Sequence, residues 1–244
     1  MTTKVPVELS STPGIVDGSN ATAITIDSSE DVTLAGHLVF ADSKNAKFGA
    51  GSDLQIYHNG SHSYISDQGT GNLHILTNHL SLHNAADDKI IFHANDDGYV
   101  IMPNQPAFNV TRNAFQSNLA INSTTTVLWQ TEIFDQNADF ASNTFTAPVT
   151  GRYQFNVCMR LQAIDSAAAY YQTHLQTSNR NYEIDLFDPT EFNGDLNYYT
   201  IKGSIFADMD ANDTAIVSIH QADGTAQTDI SYSADTHFSG FLVC

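Results

Sequence analysis

Apolar and polar residues alternate without a break from Arg152 to Gln162. Tyr153, Phe155, Val157, Met159 and Leu161 fall on one side; Arg152, Gln154, Asn156, Cys158, Arg160 and Gln162 fall on the other. A period of two over this length predicts a long antiparallel strand with one buried face, and it turns Cys158 away from that face. Further strands are predicted in "AYYQTHLQTS" (169–178), "NYYTIKGSIFAD" (197–208), "TAIVSIHQ" (214–221) and "THFSGFLVC" (236–244). Helical periodicity is absent. Long antiparallel strands joined by polar turns over residues 104–244 predict a β-sandwich or jelly roll.

Upstream the pattern breaks into short pieces. Between residues 37 and 103, turn signals fall at Asn59-Gly60, Gly69 to Asn72, Asn84 to Asp88 and Asn95 to Gly98, the punctuation expected of serial short strands. Asn-Gly suits a two-residue hairpin turn because both positions take φ > 0. That turn would set Tyr57 opposite His62, Gln55 opposite Tyr64 and Leu54 opposite Ile65. Leu54, Ile56 and Ile65 would then share one face, and Tyr57, His62 and Tyr64 the other. Hairpins this small are marginal in water, so residues 37–103 are expected to find their core between identical chains, as an intertwined trimeric β-stalk. Residues 1–36, with Pro6, Pro13, Gly14, Gly18 and Gly36 among short β-branched runs, suit an extended attachment region.

Composition narrows the function. Of 244 residues, 27 are acidic and 9 basic, for a net charge of −18. Phosphate neutralisation, and with it nucleic-acid binding, is not expected, nor is attraction to a bare anionic membrane. The charge serves solubility or suits salty surroundings that screen it. Cys158 and Cys244 are no disulfide framework. "MTTKVPVELSSTPGIVDG" has no apolar core of a signal peptide, and no apolar run is long enough for a membrane helix. Synthesis in a cytoplasm, without membrane insertion, is expected.

The residue types that could carry chemistry are histidines and clustered carboxylates. His58 and His62, like His79 and His83, are four apart, but along a strand that spacing is ~13 Å, too far to chelate one ion. A threefold axis gathering three copies of one His is the alternative. Acidic clusters at 27–31, 84–88, 95–98 and 208–213 read as turn carboxylates. "DMDAND" (208–213) lacks the Gly and the distant Glu of a calcium loop. No nucleophile elbow, phosphate loop or dinucleotide fingerprint occurs. No catalytic, metal or cofactor-binding residue is therefore assigned, and no enzyme is expected. A structural Ca2+ near a trimer axis stays open, as does a carboxylate pair for glycan cleavage, since such pairs form in space.

Two motifs carry a resemblance. "FTAPVTGRYQFNV" (145–157) and "HFSGFLV" (237–243) resemble the signature and closing strand of the complement one-q-like globular head, of the tumour-necrosis-factor-like jelly-roll superfamily. "DMDANDTAIVSI" (208–219) is similar to that family's Gly-Asp turn, with Asn212 where Gly is usual. Trp129, Phe134 and Phe140 fall in the family's aromatic region, at shorter spacing. The resemblance covers roughly residues 108–244 and implies a ten-stranded jelly roll that trimerises and works in recognition. Phe145, Gly151, Tyr153, Phe155, Val157, Phe238, Gly240 and Phe241 are its expected structural core. Gly151 suits a tight turn, and Gly240 a close approach of another backbone. Residues 5–36 and 53–75 resemble stretches of marine-bacteriophage tail-fibre proteins.

Together these features predict an all-β homotrimer: an attachment region (1–36), a stalk of short hairpins (37–103) and a jelly-roll head (104–244). The expected role is a bacteriophage tail fibre, made in the host cytoplasm and released in the virion on lysis. Its N-terminal region would join other virion tail proteins, and its head would recognise a host glycan or protein receptor. A non-adhesive virion decoration protein and a glycan-cleaving fibre are the alternatives. Receptor contacts are expected in loops 163–168, 187–195 and 221–229, around Asp165, Asp188, Glu191, Asp195 and Asp223.

Overall fold

The structure, a computed structural model, describes residues 24–232 and 236–244; most of the expected attachment region, residues 1–23, lies outside them. The described residues are almost entirely strands and turns, with a single 3-10 turn at Pro189–Glu191. The chain divides into two units, Met1–Leu76 and Thr77–Cys244.

The first unit holds β1 (Ile24–Ile26), β2 (Val32–Leu34), β3 (Asn45–Phe48), β4 (Leu54–His58) and β5 (Ser63–Asp67). β1 and β2 form one hairpin, and β3, β4 and β5 a three-stranded antiparallel sheet. The β4–β5 register departs from the expected two-residue turn. Tyr57 pairs with Tyr64, Ile56 with Ile65 and Gln55 with Ser66. The loop is Asn59 to His62, because the Asn59 side-chain oxygen accepts from the N–H groups of Ser61 (2.9 Å) and His62 (2.8 Å). Asn59 therefore caps a four-residue loop instead of occupying a two-residue turn. The slip is an even number of residues, so each face keeps its side chains, and Tyr57 stacks on Tyr64 at 4.8 Å.

The second unit opens with β6 (His79–His83), β7 (Ile90–Asn95) and β8 (Val100–Ile101), a small antiparallel sheet. Then come β9 (Ala107–Thr111), β10 (Ser123–Thr126), β11 (Thr131–Asp135), β12 (Phe140–Ala141), β13 (Thr144–Thr146), β14 (Gly151–Ile164) and β15 (Tyr170–Thr177). β16 (Asn181–Phe187), β17 (Leu196–Met209), β18 (Thr214–Ala222), β19 (Asp229–Ile230) and β20 (His237–Leu242) complete it. One sheet runs β11-β9-β20-β14-β17 and the other β12-β13-β18-β15-β16, with β19 and β10 as short additions. The ten strands of these two paths are the expected jelly-roll β-sandwich.

β14 buries Tyr153, Phe155, Val157, Met159 and Leu161. The alternation changes only at Ala163, whose left-handed φ of 55° lets Ile164 turn inward. Between the sheets, the Phe108 ring lies 5.0 Å from each of Phe140, Phe145 and Phe238. Phe155 sits 5.5 Å from Phe145 and 5.8 Å from Phe238. Gly240 is buried here, and a Cβ on it would meet Phe155 at 2.6 Å and Phe108 at 2.8 Å. It makes room for aromatic rings, not for a second backbone. Gly151 likewise serves no turn: its Cβ would meet Leu242 at 2.7 Å and the Cys244 carbonyl oxygen at 2.8 Å, so it lets the chain end lie alongside β14. Phe241 is corrected as a core residue. It is 45% exposed, because on β20 Phe238 and Gly240 take the inward positions.

Candidate functional site

The loops expected to bind a receptor are hydrogen-bonded to one another. Asp165 is the hub. Its carboxylate accepts from the N–H groups of Ala226 (2.7 Å), Ala167 (2.9 Å) and Thr225. Gly224, at φ 107°, is needed here because a Cβ would lie 2.5 Å from that carboxylate. Asp165 is only 3% exposed. It is thus corrected from a contact candidate to a buried brace between two loops. Burial alone would push its carboxyl up, but the N–H donors of Ala226, Ala167 and Thr225 outweigh that and hold it below the usual range.

The other acidic candidates are exposed, and three of them are tied as well. Asp195 accepts from the Ser166 N–H (2.9 Å) and hydroxyl (2.8 Å). Asp188 caps the 3-10 turn by accepting from the Thr190 hydroxyl (2.6 Å) and N–H (2.8 Å), which lower its pKa. Asp223 accepts from the Asn122 amide (3.0 Å) and donates its own N–H to the Asn122 side-chain oxygen (2.8 Å). Glu191 lies on the exposed side of the 3-10 turn. These bonds gather loops 163–168, 187–195 and 221–229 at one end of the sandwich. Their carboxylates shape that end before any ligand arrives.

The second surface is the outer face of the β11-β9-β20-β14-β17 sheet. Its cross-strand rows read directly from the register. Phe206, Gln154 and Phe241 form one row, Ser204, Asn156 and Ser239 the next, and Lys202, Cys158 and His237 the third. Phe206 is 54% exposed, so two large aromatic rings flank Gln154 in water. The middle row is bonded to itself and to its neighbour: Gln154 donates to Ser204 (2.6 Å), and Ser204 donates to Asn156 (2.8 Å). Cys158 does point to this outer face, as its alternation requires, yet it is buried. Its cross-strand neighbours are Lys202 and His237, and all three line a cavity of about 430 Å³ with Gly203.

Other candidate chemistry is accounted for locally. Asp213 of the "DMDAND" turn accepts from the Asp210 N–H (2.7 Å) and the Asn179 amide (2.7 Å). Asn212 takes φ 74° where a glycine would be at ease. His83 pairs with Asp87 at 2.7 Å, and His79 stacks on His93. Among the described residues, no group of three or more His, Cys, Asp or Glu side chains is placed to hold a metal ion. Nor is any helix among them long and apolar enough to cross a membrane.

Sequence reasoning did not find the surroundings of Trp129. Arg112 is buried, and burial lowers its pKa to about 10, so it stays charged. Its guanidinium donates to the carbonyls of Leu128 and Ala114 (2.9 Å) and to the Gln116 side chain (3.1 Å). An arginine inside a polar segment gives no period to read, so nothing in the sequence marked it as buried.

No curated protein matches the chain. Among solved structures it is similar to the globular domain of zebrafish complement 1qA, at 20% identity over 57% of this chain and 98% of that one, with a TM-score of 0.43. It is also similar to murine APRIL, at 13% identity over 57% and 99% respectively, with a TM-score of 0.41. The family model for the C1q domain matches residues 107–243, from the first residue of β9 to just beyond β20, and the chain belongs to the C1q domain family.

Proposed function

We propose that the chain is one protomer of a homotrimeric bacteriophage receptor-binding fibre, whose C1q head recognises a glycan or protein on the host cell surface. One observation carries this. From Ile24 to Gln105 the chain forms eight strands, and not one residue is buried. Ile26, Val39, Phe48, Ile65 and Leu76 all remain open to water. Small sheets with that much apolar surface need neighbours to cover it, and identical chains around an axis are the simplest source. The Phe206–Gln154–Phe241 row gives the head an apolar strip of its own. Family resemblance supports recognition rather than catalysis, and the tail-fibre resemblance of residues 5–36 and 53–75 supports a virion.

Labelled full-length protein, presented to a panel of marine bacterial strains in saline, calcium-containing medium, should bind a subset of them. It should also block plaque formation by phages on those strains. Folded protein that binds no strain and blocks no phage would favour a non-adhesive virion decoration. Release of reducing sugar from host polysaccharide would instead favour a glycan-cleaving fibre.

A further inference from the structure

The chain has two Asn-Gly pairs, Asn59-Gly60 and Asn193-Gly194. In such a pair the glycine nitrogen can attack the asparagine side-chain carbonyl carbon, because a glycine without Cβ lets the backbone fold back on that carbon. Both pairs are exposed, so exposure does not tell them apart. Hydrogen bonding does. The Asn59 side-chain oxygen accepts from the N–H groups of Ser61 (2.9 Å) and His62 (2.8 Å), and its amide donates to the Tyr64 hydroxyl (3.3 Å). To turn its carbonyl carbon toward the Gly60 nitrogen, that side chain has to give up these bonds.

At Asn193-Gly194 nothing has to be given up. Among the described residues, neither the Asn193 side chain nor the Gly194 N–H has a hydrogen-bond partner. The space beside Gly194 is open as well: a Cβ placed there would meet no atom within 4 Å. A five-membered ring closed between the two residues finds room. The flanks, by contrast, are held. On one side the Phe192 N–H donates to the Pro189 carbonyl (3.0 Å), and the Phe192 ring lies 6.4 Å from Phe187 and 6.3 Å from Tyr199. On the other, Asp195 accepts from the Ser166 N–H (2.9 Å) and hydroxyl (2.8 Å). Asn193 and Gly194 are thus an unbonded span between two fixed points of loop 187–195.

We infer that Asn193 is a site of spontaneous modification, which converts loop 187–195 from an amide to a carboxylate form. The Gly194 nitrogen loses its proton to hydroxide and attacks Asn193 Cγ. The new C–N bond closes a succinimide, and the side-chain nitrogen leaves as ammonia. Water then opens the ring at either carbonyl, leaving aspartate or isoaspartate at position 193. One water enters, one ammonia departs, and no oxidant or reductant takes part. Each event adds a negative charge to a loop that already carries Asp188, Glu191 and Asp195. Isoaspartate also lengthens the backbone by one C–C bond, roughly 1.5 Å. That extra length falls between the Phe192 and Asp195 anchors, so the brace from Asp195 to Ser166 has to shift or break. The conversion stands apart from the receptor reading, whereas its effect on binding rests on that reading.

Full-length protein would be aged in mildly acidic and mildly alkaline buffer and then digested. The fragments carrying Asn59 and Asn193 would be followed by mass and by isoaspartyl methyltransferase labelling. In the folded protein the Asn193 fragment should convert about tenfold faster than the Asn59 fragment, and faster in alkali than in acid. In denaturant, where only the shared Asn-Gly chemistry remains, that ratio should fall toward one. Asn193→Ser should leave its fragment unlabelled. A ratio in the folded protein no higher than in denaturant overturns the site, as does an Asn193 fragment that keeps its amide while Asn59 converts. Aged wild type and fresh Asn193→Asp would then be compared with fresh wild type on the same bacterial strains. Weaker binding by both is the expected result. Conversion with unchanged cell binding overturns the effect on recognition alone, whereas fresh protein that binds no strain overturns the receptor role alone.

Discussion

At the scale of single residues, Asp165 shows how a carboxylate in a loop becomes part of the framework. It is nearly inaccessible, and it closes two loops through three backbone N–H groups. Its folded-state pKa is depressed. The stabilisation it gives is therefore present above the unfolded value of about 3.9 and is lost as pH falls through the lower folded value. Asp139 acts in the opposite sense: burial, and then Asp135, raise its pKa. The informative quantity is thus the difference between wild type and Asp165→Ala. That variant should lose roughly 2–3 kcal/mol of head stability in denaturant at pH 7, and the gap should narrow toward pH 2. A gap unchanged by pH would mean that Asp165 acts through packing alone. Nothing in "AIDSAA" told this buried brace from an exposed turn carboxylate, because two of its three partners, Thr225 and Ala226, lie 60 and 61 positions downstream. Phe155 was legible for the opposite reason: its burial follows from neighbours two residues away on the same strand.

At the scale of elements, alternation was readable wherever one sheet face is buried. The stretch Arg152–Gln162 of β14 emerged from its period of two, while its last two residues, Ala163 and Ile164, did not; the inward positions of β20 at Phe238 and Gly240 followed from the family motif. Phe241 misled because a motif marks a strand without saying which of its faces each aromatic takes. Turn geometry was less legible, since the β4–β5 register depends on where the Asn59 side chain bonds. The junction between the β6-β7-β8 sheet and the sandwich was not readable at all. There the Gln136 amide donates to the carbonyls of Met102 (3.1 Å), Pro103 (2.9 Å) and Gln105 (2.9 Å). Asn137 donates to Asn104 at 2.9 Å, and Gln105 to Leu242 at 2.9 Å. Residues 102–105 are thus held against the sandwich by side chains of the β11–β12 loop and by the chain end. Gln136→Ala should release that segment locally. Proteolysis between residues 102 and 106 should speed up about fivefold, for a loss of about 1 kcal/mol, with the melting of the sandwich little changed. Equal cleavage rates in the two proteins would show that the clamp adds nothing.

At the scale of the whole molecule, the sandwich supplies its own core and the upstream hairpins do not. The turn punctuation and short apolar pieces of residues 37–103 make that imbalance legible in the sequence. Assembly should follow from it: full-length chains should sediment near three times 26.6 kDa. Replacing both Phe206 and Phe241 by Asp should shift that boundary toward smaller species, because the exposed row would then carry charge instead of apolar surface. Charge sets the conditions for assembly. Each chain carries −18, so association brings like charges together. If apolar burial drives assembly against that repulsion, salt should strengthen it, since at about 0.5 M ionic strength exposed charges are screened within a few ångströms. Raising salt from about 0.02 M to 0.5 M should therefore lower the concentration at which trimers dissociate. A trimer held mainly by ion pairs between chains would respond in the opposite direction. A clean monomer at micromolar concentration in 0.5 M salt would remove the case for a shared core, leaving eight strands with nothing to cover them.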